Sequence, residues 1–291
     1  MKNRFFLIAS LILNSVVASP ANDAALNDGG EGPEPIGWRS GTESIIQMKS
    51  EHLDIHFGVE KTKVIARFTF LSHKKGGSAI QKLGFPNASR SEMDGDIIGP
   101  IENLVSRVNG KTVEAKLVEG YYKEILKPDG SVFREKVEKP KTENYDGSIQ
   151  KHAWYVIEVE FPEGEEVIIE REYDCPTGID SSMNAFFIYE TRTGGAWRDE
   201  IEKLTAEVTF ADDVHTEYVT FDPKDNWTWS EDRSKATLVW ENFEPRTSEE
   251  QTYFQVSVLN LEEIKRVSKE NPDDFPSVEE WIIGWKKMQS E

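Results

Sequence analysis

From about residue 44 to residue 259, apolar and polar residues alternate with a period of two, in segments rich in Val, Ile, Phe, Tyr, Trp and Thr. Side chains two apart on a strand share a face, so this pattern predicts strands with one face buried and one in solvent. Leu53, Ile55 and Phe57 share a face, as do Val64, Ala66, Phe68 and Phe70. A turn centred between Glu60 and Lys61 pairs Phe57 with Val64, Ile55 with Ala66 and Leu53 with Phe68, which gathers every apolar side chain of both strands on one side. The same register sets Arg67 opposite Asp54.

Asn109-Gly110 fits a two-residue hairpin turn in which both φ angles are positive, and predicts a hairpin from Leu104–Val108 to Lys111–Leu117. Between Glu119 and Lys151 the alternation weakens around Pro128-Asp129-Gly130 and Tyr145-Asp146-Gly147, the pattern of a projecting hairpin or long loop. It resumes at Tyr155, Ile157, Val159 and Phe161, and continues through Val167, Ile169 and Tyr173, then Phe186 and Ile188, then Ala206, Val208 and Phe210. In the hairpin from Trp227 to Trp240, a turn centred between Arg233 and Ser234 pairs Trp229 with Leu238 and Trp227 with Trp240, making a three-tryptophan patch. Such a succession predicts an all-β fold, an antiparallel β-sandwich over residues 44–258. It is either one extended sandwich or two small ones split near 119–152.

Residues 259–291 change period. Leu261 to Lys269 predict a short helix ended by Asn271-Pro272, because proline lacks a donor and disfavours helix in the residue before it. Ser277 and Glu280 have capping-box spacing, and Val278, Trp281, Ile282, Trp285 and Met288 recur at intervals of three and four on one helical face. The fold therefore ends in a short C-terminal helical tail, its apolar face set against the sandwich or a second chain.

The start of the chain has a different grammar. Lys2 and Arg4 precede an apolar run, Phe5 to Ala18, too short to span a bilayer, and Ser19, Pro20 and Ala21 follow. This is the build of a signal peptide over residues 1–21, cleaved after Ala21 or, alternatively, after Ala18. Residues 22–43, rich in glycine, proline and acids, read as a disordered leader. The chain has 34 Lys and Arg against 53 Asp and Glu, a formal charge of -19, and the signal removes only bases. An acidic secreted or periplasmic protein of this kind repels phosphate backbones, so no nucleic acid partner is expected, and no membrane insertion after signal cleavage. A single cysteine, Cys175, excludes an intramolecular disulfide and a thiolate metal cluster.

Catalytic motifs are missing from this sequence. No Gly-x-Ser-x-Gly, no His-Glu-x-x-His and no EF-hand loop occurs, and Gly110-Lys111-Thr112 has Val105 where a phosphate loop needs glycine. His52, Asp54 and His56 share a strand face and could ligate a metal, but a guanidinium beside Asp54 favours a solvated polar face. Asp94-Gly95-Asp96 and Asp222-Pro223-Lys224-Asp225 read as acidic turns rather than Ca²⁺ loops. No catalytic residue, metal or cofactor is assigned. Trp227, Trp229 and Trp240 are the candidate ligand-binding residues: exposed, their indoles suit sugar rings; covered by an opposing sheet, they are core.

Ser50 to Phe57 followed by Phe68, Gly84-Phe85-Pro86, His152-Ala153-Trp154-Tyr155, Thr193-Gly194-Gly195-Ala196-Trp197 and Phe243-Glu244-Pro245 together resemble a secreted bacterial family, the domain of unknown function 4424 family, over roughly residues 44–258. Where that family has Gly-Pro-Ile-Gly after the tryptophan, this chain has Arg198-Asp199-Glu200-Ile201. The resemblance implies export and a β-rich fold, and brings no catalytic residues with it. The expected function is that of an exported, non-enzymatic β-sandwich protein binding a periplasmic or cell-surface partner, a protein or a glycan. The alternative is a carbohydrate-binding module or glycan-active hydrolase using the Trp227, Trp229 and Trp240 face.

Overall fold

The computed structural model describes residues 24–27, 34–35, 44–87, 100–126, 132–138, 149–245, 251, 253–272 and 275–289. Its strands are β1 (Ala24–Asn27), β2 (Glu34–Pro35), β3 (Ile46–Phe57), β4 (Lys61–Ser72), β5 (Ala79–Pro86), β6 (Glu102–Val108), β7 (Lys111–Val113), β8 (Lys116–Leu126), β9 (Val132–Val137), β10 (Ile149–Phe161), β11 (Glu166–Pro176), β12 (Gly178–Ile179), β13 (Asn184–Glu190), β14 (Ile201–Phe210), β15 (Val219–Asp222), β16 (Trp227–Trp229), β17 (Lys235–Phe243) and β18 (Tyr253–Leu259). Helices α1 (Leu261–Glu270) and α2 (Val278–Gln289) follow. The fold is mostly β, with a short helical tail.

Three sheets build the body. An eight-stranded sheet runs β16-β17-β14-β3-β4-β11-β6-β7, a six-stranded sheet β2-β1-β5-β10-β8-β9, and a four-stranded sheet β12-β13-β18-β15. The inner face of the long sheet is shared by the other two. Phe85 of the six-stranded sheet meets Tyr173 on β11 at 5.1 Å, and Phe161 meets Phe70 at 5.9 Å. Phe254 of the four-stranded sheet meets Trp227 at 5.7 Å and Trp240 at 6.2 Å. One continuous core joins residues of all three sheets, the two smaller ones packing on the long one.

The strand ladders among the described residues are antiparallel, with one exception at the centre of the long sheet. There β14 lies parallel to β3, pairing Leu53 with Ala206. Alternation of side chains is blind to strand direction, so the expected all-antiparallel order is corrected at this ladder. Two of the three hairpins read from sequence are also corrected, each by two residues. Ile55 faces Val64 and Leu53 faces Ala66; Trp227 faces Leu238 and Trp229 faces Ala236. A slip of two keeps every side chain on its face, so hydrophobic patterning cannot detect it. Contacts from elsewhere in the chain hold the first turn. Thr177 N–H donates to the Glu60 carbonyl at 3.0 Å, Thr177 Oγ1 donates to the Gly58 carbonyl at 2.8 Å, and Val59 N–H donates to Asp213. A Cβ on Gly58 would lie 2.7 Å from the Lys61 carbonyl oxygen, so this turn demands glycine. In the second, Asp232 Oδ1 accepts from Ser230 Oγ and from the Ser234 amide and hydroxyl, fixing the tip one step earlier.

The Asn109-Gly110 turn has φ of 48° and 77°, as a two-residue hairpin requires, and joins β6 to β7. Its second limb is shorter than expected. After Val113 the chain leaves the long sheet, and Lys116 onward enters the six-stranded one as β8. Residues 119–151 contribute paired strands: β8 with β9, and β8 with β10. Within the leader, Ala24–Asn27 pair with β5 and with Glu34–Pro35, a strand edge where the sequence predicts disorder.

The tail follows its sequence closely. Asn260 Oδ1 caps α1 by accepting from the Glu263 amide at 3.0 Å. Glu280 accepts from the Ser277 amide at 2.9 Å, while the Glu280 amide donates back to Ser277 Oγ at 3.3 Å, which closes the capping box. Trp285 is buried against Leu259 and Ile264 and meets the Tyr218 ring edge-on at 5.6 Å. The helix docks on its own domain. Met288, three residues beyond the buried Trp285 and expected on the packed face, is exposed.

Candidate functional site

The outer face of the long sheet gathers the charged side chains. Asp54 on β3, Lys61, Lys63 and Arg67 on β4, Glu170, Glu172 and Asp174 on β11, and Glu102 and Arg107 on β6 occupy neighbouring strands. Arg67 lies opposite His52, the consequence of the two-residue shift, and reaches diagonally to Asp54 at 2.5 Å while its Nε meets Glu170 at 2.9 Å. Arg107 bridges Glu170 at 2.5 Å and Glu172 at 3.1 Å; Lys63 adds a contact to Glu172 at 2.8 Å. Lys61 joins Glu102 and Asp174. Acidic and basic side chains thus interlock across four strands.

These partners set the protonation states. Burial raises the carboxyl of Asp54, but hydrogen bonds from Arg67 and His52 outweigh it and hold the group below its ordinary value. Lys63 and then Arg107 lower Glu172, and Asn103 with Lys61 lowers Asp174. Lys61 is raised by Glu102, and Lys63 by Glu172. Every shift moves a group away from neutrality, deeper into its charged form.

The histidines do not converge on a cation. His52 Nε2 bonds Asp54 at 3.1 Å and His56 Nδ1 bonds Thr209 at 3.1 Å. Among the described residues no group of three or more His, Cys, Asp or Glu side chains could hold a metal ion. Asp222 accepts from the Tyr253 hydroxyl at 2.7 Å. Asp94-Gly95-Asp96 lies outside the described residues, as does the signal segment. Cys175 is buried, and burial pushes its thiol up to about 12, where it donates to the Thr62 carbonyl instead of reacting.

Trp227, Trp229 and Trp240 share the inner face of the long sheet, where its β16 end meets the four-stranded sheet. Trp240 is buried; Trp227 and Trp229 are half-buried. Phe221 stacks on Trp227 at 4.2 Å with planes 14° apart, Phe210 stacks on Trp229 at 5.3 Å, and the Arg233 guanidinium lies 4.2 Å from the Trp229 ring centre. The indoles are thus occupied by aromatic and cationic neighbours. The Nε1 atoms of Trp227 and Trp240 find no hydrogen-bond acceptor among the described residues.

A second polar group sits inside the core. Glu51 and Arg171 are buried on the inner face of the long sheet, in the rows of Phe68 and Ala66. The Tyr189 hydroxyl of the four-stranded sheet donates to Glu51; Arg171 donates to Ser106 Oγ at 2.6 Å and lies 5.7 Å from the Phe85 ring. The Tyr173 hydroxyl, raised first by burial and then by Cys175 and Glu51, has no hydrogen-bond partner among the described residues. Sequence reasoning passed over these residues, although alternation marks them: Glu51 precedes Leu53 by two and Arg171 follows Ile169 by two.

The motif Thr193-Gly194-Gly195-Ala196-Trp197 serves packing. It forms a short 3-10 turn that seats Trp197 against Phe70 at 4.6 Å, after which the Arg198 amide donates to the Ile46 carbonyl.

No protein-family model matches the chain, and no curated protein matches it. A crystal structure from Legionella pneumophila subsp. pneumophila str. Philadelphia 1, named as a candidate nutrient binding protein, is similar over 88% of this chain and 76% of that one, at 16% identity and TM-score 0.55. This is a likeness of fold. A zinc metallopeptidase from Deinococcus radiodurans aligns over 73% of this chain but 42% of its own, at 8% identity and TM-score 0.34. The chain spans less than half of that peptidase. Among the described residues no helix is long and apolar enough to cross a membrane.

Proposed function

We propose that this chain is an exported, non-enzymatic β-sandwich module of the kind it resembles, the domain of unknown function 4424 family, and that it binds a protein partner at the cell surface or in the periplasm. The outer face of the long sheet carries this reading. A general acid or base works best with a pKa near the operating pH. Asp54, Glu172 and Asp174 are instead held lower, and Lys61 and Lys63 higher, so the ladder keeps its charges fixed at neutral pH. A broad sheet face with an unchanging charge pattern suits recognition better than proton transfer. Eight strands spaced about 4.8 Å apart make it ~34 Å wide.

The test is photo-crosslinking in intact cells of the native host, with a benzophenone amino acid at Thr205 on this face, and sequencing of the mature N-terminus. Expected are a start at Asn22 or Ser19 and one protein adduct that disappears in Arg67→Glu with Arg107→Glu. An intact Met1 in the cytoplasm removes the export reading. Glycan binding lost in Trp227→Ala, with no protein adduct, replaces the protein partner by a carbohydrate.

A further inference from the structure

Helix α2 rests on its own domain by one stripe. Trp285 is buried, and Val278, Trp281 and Ile282 are half-buried around it, packed with Leu259 and Ile264. Successive helical residues turn by about 100°, so Ile283 lies roughly 160° around the axis from Trp285. It faces solvent and is 65% exposed. Glu279 and Glu280 stand one turn before it and Lys286 and Lys287 one turn after it, all exposed.

Two residues of this outward face have no use within the chain. Gly284 sits in the middle of the helix, where only proline is a poorer former, yet no atom lies within 4 Å of the place its Cβ would take. Packing inside the chain therefore does not require a glycine there. Ile283 keeps an apolar side chain in water, where a polar one would leave the packed stripe unchanged. The charges do have an internal use, since acids in the first turn and bases in the last suit the helix dipole. That use accounts for neither the isoleucine nor the glycine.

We propose that α2 is a self-association surface, on which two copies of this chain pair their α2 helices antiparallel with Ile283 of each seated over Gly284 of the other. The face is self-complementary. A two-fold axis between residues 283 and 284 that sets Ile283 over Gly284 also sets Glu280 of each copy beside Lys287 of the other. The missing Cβ leaves a notch that lets the backbones approach and receives the isoleucine as a knob. Two ion pairs then flank two apolar contacts, whereas a parallel pair would set acids on acids and bases on bases. A pair of 12-residue helices is smaller than the roughly 1,600 Å² of a standard interface, so the dimer is a weak one. This contact makes no use of the outer face of the long sheet and stands apart from the partner proposed there.

Sedimentation equilibrium of the full mature protein at up to about 1 mM, in physiological salt that screens the mutual repulsion of acidic chains, reads the association. Expected is a monomer–dimer equilibrium weakened about tenfold or more by Ile283→Glu and by Gly284→Gln. Glutamine is the better helix former, so Gly284→Gln should raise helix content by circular dichroism while it weakens the dimer, which no loss of fold can imitate. Lys287→Glu and Glu280→Lys should each stay monomeric alone and associate when mixed, because opposite charges then meet at both ends of the pair. Where Glu280→Lys, which also loses its contact to the Ser277 amide, unwinds the first turn, Ile283→Glu and Gly284→Gln decide the matter. A single monomeric mass throughout would overturn the proposal, as would a dimer that both of these variants leave intact. A dimer abolished by Arg67→Glu with Arg107→Glu would assign self-association to the sheet face and overturn it equally. Failure of the mixed variants to associate, with both helices intact, overturns the antiparallel pairing.

Discussion

On β11, Arg171 points into the core while its neighbours Glu170 and Glu172 point into solvent, and the three adjacent residues obey different electrostatics. Outside, Glu170 and Glu172 share Arg67, Arg107 and Lys63, and any one contact has a substitute within reach. Inside, Arg171 is fully buried against Ser106 and Phe85, where water cannot stand in for a lost partner. The same side-chain chemistry is replaceable on one face and indispensable on the other.

The sharpest test is Arg171→Ala, expected to cost about 3–5 kcal/mol in urea unfolding because it removes a buried charge from its partners and leaves a void. An indistinguishable midpoint would mean that the core readily admits water. Tyr189→Phe removes the hydroxyl that Glu51 accepts from, a loss of about 1.5–3 kcal/mol by the same measurement. Trp285→Ala should free the tail: faster amide exchange in α2, with the long sheet unchanged, follows from its small separate cluster. Arg107→Ala should shift the midpoint least, since exposed pairs contribute little and weaken in salt.

The outer face should also show itself in acid. Asp54, Asp174 and Glu172 are held below their ordinary values of 3.8, 3.8 and 4.5. A depressed folded pKa means the unfolded chain binds protons first, so the stability these groups lend is complete above about pH 4.5 and is lost as pH falls through their folded values. Unfolding midpoints measured from pH 6 to pH 2 should fall less steeply in Lys63→Met with Arg107→Met than in the wild type.

Where sequence and structure agree, the information is local. The capping box at Ser277 and Glu280 and the Asn109-Gly110 turn depend on residues within one turn of each other. Face assignment was equally legible, since Leu53, Ile55 and Phe57 all enter the core. Register was legible only to within two residues, because Thr177 and Asp213, far along the chain, decide where the Gly58 turn sits. Among the candidate residues, alternation placed Trp227, Trp229 and Trp240 on one face but not what lies over them. Phe210, Phe221 and Phe254 reach them from other strands. The ladder on the outer face needed the order β3-β4-β11-β6, which no spacing in the sequence states.

The parallel ladder between β3 and β14 has a consequence in time. Thr209 meets Ile55 across 154 positions, so the centre of the long sheet cannot close until nearly three quarters of the chain is available. Closing so long a loop is entropically slow, and non-local pairing of this kind lengthens folding. Until β14 arrives, β3 and β4 form a hairpin whose β3 side is a twelve-residue template open to any passing strand. A nascent chain would need shielding for that interval, and charged residues along the edge, such as Asp54 between His52 and His56, are the local safeguard the sequence provides.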